Sequence, residues 1–123
     1  MPVRSLSSSV LTWPSVEAVD LAVRRWAKKV TKERSGVVRV GYFGSYARGN
    51  WGVGSDLDLI IIMEHTKEPF LRRAAGWDVT KLPVPADLLV YSKDEWRSLD
   101  RNTRFYRTLV EETVWVYVRE DEN

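Results

Sequence analysis

The sequence predicts an α/β (α+β) domain, a small sheet with helices packed on it, and three observations carry that expectation. Val16, Val19, Val23, Trp26 and Val30 recur at steps of three, four, three and four, which is one apolar face of a helix. Four runs rich in β-branched, aromatic or aliphatic residues, Val37–Phe43, Leu57–Met63, Ala86–Tyr91 and Thr113–Val118, have strand length. At 123 residues the chain has material for one core and not for two. Residues 1–123 are therefore expected to form a single domain, with 1–12 and 119–123 as flexible ends.

Each element has its own local reason. The first helix follows Thr12-Trp13-Pro14; proline suits the first turn, and Ser15 or Thr12 can cap. Arg24, Arg25, Lys28, Lys29 and Lys32 fall mostly off its apolar face and read as a solvated flank, and Ser35-Gly36 closes the helix. Val37–Phe43 is the first strand, and Gly44-Ser45 opens a short helix ending near Gly49. Leu57–Met63 is apolar at nearly every position beyond Asp58, so this second strand should be central and covered on both faces. Lys67–Trp77 is a weaker helical segment, with Phe70, Leu71, Ala74 and Ala75 as its apolar positions. Pro83-Val84-Pro85 breaks the chain and delivers the third strand, Ala86–Tyr91. Ser92-Lys-Asp-Glu95 has the form of a capping box and opens a helix carrying Trp96 and Leu99. A second helical stretch runs from Asp100 to about Glu112, with Phe105, Leu109 and Val110 inward. If the two were continuous, Arg97, Arg101 and Arg104 would align. Thr113–Val118 is the last strand, and Glu120–Asn123 is a polar tail.

The chemistry concentrates in residues 41–60. A strand ends at Gly44-Ser45, a small turn able to present backbone N–H groups and a hydroxyl to an anion. Ten residues later come Asp56 and Asp58, two apart at the mouth of the second strand. Period two places both carboxylates on one face and Leu57 and Leu59 on the other. Between them, Gly49, Gly52 and Gly54 make a flexible link. Paired carboxylates beside a phosphate cradle suit Mg²⁺, which takes oxygen ligands from one or two carboxylates, water and substrate phosphates. The plainer reading has Asp56 capping a strand and Asp58 exposed on it. Against it, aspartate is depleted in strands, and two close like charges repel unless something positive lies between them.

Gly44-Ser45, a ten-residue gap and Asp56-x-Asp58 resemble the signature of the DNA polymerase β-like nucleotidyltransferase superfamily. Gly44-Ser-Tyr-Ala-Arg-Gly49 and Ser55-Asp-Leu-Asp-Leu59 look like its small microbial branch, the minimal nucleotidyltransferases. The resemblance implies the nucleotidyltransferase fold, a small mixed sheet packed with helices. It also implies transfer of a nucleoside monophosphate, AMP from ATP, to an acceptor hydroxyl with two Mg²⁺ ions. Asp56, Asp58 and Asp87 would be the catalytic and metal-binding residues, and Gly44, Ser45 and Arg48 would bind the nucleotide. Asp87 is the only acidic residue of the third strand, and it either joins the two aspartates or merely starts a strand from a polar loop. Small members of this kind are commonly antitoxins paired with a helical HEPN partner, to which they can add AMP. Larger relatives carry an extra domain for the acceptor, and none fits within this length, so a HEPN-type partner or a homodimer would supply that recognition. The link Asn50–Gly54 departs from the family's usual charged, proline-containing gap.

Composition removes several alternatives. There is no cysteine, hence no disulfide, zinc-thiolate site or thiol nucleophile, and the chain suits a reducing cytoplasm. The single histidine, His65, cannot build a multi-histidine metal site and reads as a surface loop residue rather than a base. Nineteen basic against 17 acidic residues argue against a general nucleic-acid binder, and no apolar run approaches membrane-spanning length. Six tryptophans read mostly as packing residues; Trp51, in the glycine-rich link, could pack on the domain or stack on a ligand. A second class stays open, a partner-binding antitoxin or scaffold module whose carboxylates are catalytically weak or inactive.

Overall fold

The long first helix explains the layering. The computed structural model describes residues 13–122. Helix α1, Val16–Glu33, is capped by the Ser15 hydroxyl, which accepts from the Ala18 N–H at 3.2 Å. Val19, Val23, Trp26, Ala27 and Val30 are all buried, as the apolar spacing requires, and the basic residues of the other flank are exposed. The expected start of the chain, 1–12, lies outside the described residues.

Four strands form one mixed sheet in the order β3-β2-β1-β4: β1 Val37–Phe43, β2 Leu57–Met63, β3 Ala86–Ser92 and β4 Val114–Val118. β1 runs antiparallel to both β2 and β4, while β2 and β3 are parallel. β2 alternates between two cores. Leu57, Leu59 and Ile61 pack with α1, and Ile60 and Ile62 pack with Val38 and Leu109 on the opposite face. Its central, doubly covered position follows directly from its unbroken apolar run. Gly41 is the exception inside β1. A Cβ there would meet Thr113, Val114 and Trp115 at 2.8 Å, so its bare backbone is what lets β4 and the Trp115 ring lie so close.

Short α2, Ser45–Arg48, follows β1 as expected. The segment 67–77 does not form the single helix its apolar residues suggest. It is one turn, α3 Phe70–Arg73, followed by a 3-10 turn at Ala74–Gly76. Leu71 is 92% exposed, and the inward residues are instead Arg73 and Trp77. The Arg73 guanidinium explains this, because it donates to the Glu68 and Val90 carbonyls and to both oxygens of the Glu95 carboxylate. A cation with four acceptors anchors the segment better than a small apolar face could.

The capping box at Ser92 and Glu95 is present and opens α4, Lys93–Arg97. The chain then turns, and Thr103 caps α5, Arg104–Glu112. The two helices are separate, so Arg97, Arg101 and Arg104 do not share a face. Of the three expected inward residues of α5 only Leu109 is buried, with Phe105 and Val110 substantially exposed. The polar tail has partners: Glu122 accepts from Lys93 at 2.9 Å, and Arg119 bridges Glu64 and Asp121. Among the described residues, no helix is long and apolar enough to cross a membrane.

Candidate active site

The strand β1 ends at Phe43, and Gly44 then turns the chain at φ 82° and ψ −152°, a conformation essentially confined to glycine. The turn delivers α2, whose first amides have no acceptor within the helix. Tyr46 is buried and holds the turn down, its hydroxyl donating to the Pro14 carbonyl at 3.2 Å. Trp51 stacks on the Tyr46 ring, with centroids 5.7 Å apart and planes 7° apart, so the indole packs on the domain. The glycine-rich link closes on itself where Gly52 N–H donates to the Ser55 hydroxyl and Ser55 N–H to the Gly52 carbonyl. It thereby returns the chain to β2.

Register places the acids. On β2, Asp58 lies opposite Phe43 of β1 and, on the other side, opposite Asp87 of β3. Adjacent strands are about 4.8 Å apart, so these two carboxylates are neighbours on one face. A Cβ on Gly44 would collide with the Asp58 carboxylate, which means the glycine backbone abuts that group directly. Asp58 is half-buried, whereas Asp56 and Asp87 are exposed. Burial, and then the negative charges of Asp87 and Asp56, push the Asp58 carboxyl above its ordinary range, with Arg48 opposing. Asp87 and Asp56 thus both act on Asp58 electrostatically. Yet no three His, Asp or Glu side chains among the described residues are gathered tightly enough to enclose a metal ion. For Mg²⁺ this is no obstacle, because its usual protein share is one or two carboxylates, with phosphates and water completing the shell rather than a protein cage. The donor set fits such a hard cation.

Arg48 is at the site's edge and is not free. Its guanidinium donates to Glu112 of α5 at 3.2 Å, so it is held between the carboxylates and the helix. Glu112 is a feature the sequence did not offer, since it lies 64 residues from its partner. Phe105 on α5 meets the Phe43 ring edge-on at 6.4 Å, bracing α5 against the end of β1 opposite Asp58. His65 is exposed in the loop after β2, away from this cluster.

Comparison with known proteins bears on the family and the fold. The profile of the nucleotidyltransferase domain family matches residues 24–116. Among solved structures, a candidate nucleotidyltransferase of Sulfolobus solfataricus is 21% identical and superposes with a TM-score of 0.55, covering 90% of this chain and 94% of its own. A toxin–antitoxin complex crystallised with AMP-PNP is 17% identical, TM-score 0.57, over 80% of this chain and 75% of the other. A mutant of the MntA–HpeT toxin–antitoxin pair, with two aspartates two positions apart changed to glutamate, is 14% identical, TM-score 0.55, with the same coverage. At these identities the likeness is one of fold. A search of curated protein sequences gave no significant match.

Proposed function

The chain belongs to the nucleotidyltransferase domain family, and on that premise we propose that it transfers AMP from ATP to an acceptor hydroxyl. The observation that carries this reading is the register of Asp58 with Asp87 beside the bare backbone of Gly44. The backbone at Gly44 and Ser45 and the serine hydroxyl hold the triphosphate. Asp56, Asp58 and Asp87 are the residues that would hold Mg²⁺. When bound, two such ions offset the phosphate charge and align the attacking and leaving oxygens. Asp87, exposed at the mouth of β3, takes the proton of the acceptor hydroxyl. The acceptor oxygen forms a bond to the α-phosphorus as the bond to pyrophosphate breaks, and pyrophosphate leaves with its electron pair. Arg48, released from Glu112, offsets charge on the triphosphate.

In this reading the acceptor is a partner protein. Two of the similar structures are toxin–antitoxin complexes, one of them crystallised with AMP-PNP, and this supports a role as the antitoxin half of a pair. The acceptor is then a side-chain hydroxyl of a HEPN-type helical partner, in the reducing, ATP-rich cytoplasm that a cysteine-free chain suits. The test is pyrophosphate release from ATP and Mg²⁺ in the presence of the partner. Release is expected from the wild type, and roughly a thousandfold less from Asp58→Asn and Asp87→Asn. Equal rates in all three folded proteins would sink the assignment.

A further inference from the structure

A cleft of about 540 Å³ opens at the other end of β2, where Met63 and the following loop meet α3 and the 3-10 turn. Met63 is five residues beyond Asp58, about 17 Å along a strand, so this is not the site described above. Its volume is that of a small-molecule site. Its wall is cationic, with Arg34, Lys67, Arg72 and Arg73 against a single acid, Glu68. In a chain with 19 basic and 17 acidic residues, that is a local excess.

These cations are in different states. Arg73 is spent on Glu95. Arg34 donates to the Gly76 carbonyl and lies over the Trp77 ring at 3.9 Å, so its position is fixed while no carboxylate among the described residues neutralises it. Lys67 and Arg72 pair with no carboxylate among the described residues, and both are exposed. An anion with several acceptor oxygens would answer this unpaired charge. We propose that this cleft binds the phosphate group of a small molecule through Arg34, Lys67 and Arg72. Three cations match a doubly charged phosphate better than a single carboxylate, and guanidinium forks suit its oxygens.

Amide NMR on the full chain tests this, with sodium phosphate titrated against sodium chloride at matched ionic strength in EDTA. Phosphate is expected to give saturable shifts at Thr66, Lys67 and Arg72, and chloride is not. The surface double variant Lys67→Ala, Arg72→Ala should weaken the apparent affinity at least about tenfold, since two charge-assisted contacts are lost. Asp58→Asn, Asp87→Asn should keep it within about twofold, because the two sites are too far apart to couple. Shifts identical with chloride, or saturable shifts confined to Gly44–Ala47, would overturn the proposal. A parallel titration with AMP separates the sources: tighter binding at the same amides assigns a nucleotide-borne phosphate, and equal binding assigns the free anion.

Discussion

Asp58 sits where two demands conflict. Its carboxyl is pushed above the ordinary range by burial and by Asp87 and Asp56, so ionising it costs the folded chain stability. That unfavourable contribution is present above the raised folded value and is relieved as pH falls through it. Asp58→Asn should therefore raise Tm by about 2–5 °C at pH 7 while cutting transfer roughly a thousandfold, as expected where a site trades stability for chemistry. Differential scanning calorimetry of the two proteins checks this. Gly44→Ala should do the reverse. Its backbone conformation excludes other residues and a Cβ would strike the Asp58 carboxylate, so a loss of about 1–3 kcal/mol in urea unfolding is expected. The spacing of Gly44-Ser45 and Asp56-x-Asp58 was readable along the chain. The contact of Gly44 with Asp58 was not, since it exists only once β1 and β2 pair.

At the scale of elements, segments with one strong local signal formed as their sequence directs. The apolar stripe of α1, the continuous run of β2 and the Ser92–Glu95 capping box are of this kind. Segment 67–77 went differently because its decisive interaction is distant in sequence. Arg73 reaches across 22 residues to Glu95, and no periodicity along the chain reports that. The separation of α4 from α5, read as two helical stretches, has a local cause in the Thr103 cap. Glu95 carries a pH signature. The Arg73 guanidinium, with the Ser92 amide, holds its carboxyl down to about 2 from an ordinary value of 4.5. A depressed carboxylate contributes stability that is complete above 4.5 and lost as pH falls toward 2. The Glu95 side chain is 42% exposed, so screening keeps the effect at about 1 kcal/mol or less. Glu95→Gln should flatten the acid limb of the unfolding curve between those two pH values. An unchanged limb would mean that the Arg73 contact does not persist in solution.

For the molecule as a whole, the sheet sets what is possible. β2 and β3 are parallel and in register, so the two strands bring Asp58 and Asp87 together on one face at the same end. Four strands and one long helix leave α4 and α5 as thin cover on the opposite face, with Phe105 and Val110 exposed. That arrangement fits a domain completed by a partner chain or a second copy, and a monomer by light scattering at tens of micromolar would exclude the homodimer. The fold class was legible because four strands and the helices between them each had a local signature. The pairing order β3-β2-β1-β4 was not legible, since strand order is a long-range property. The central claim is that Asp56, Asp58 and Asp87 serve a nucleotide. Its most direct test is calorimetric titration of ATP with Mg²⁺ into the wild type and into folded Asp56→Asn, Asp58→Asn. The account predicts metal-dependent binding by the wild type and none by the variant. Binding of ATP or GTP by neither protein, or equally by both, would contradict it and leave a partner-binding module as the better description.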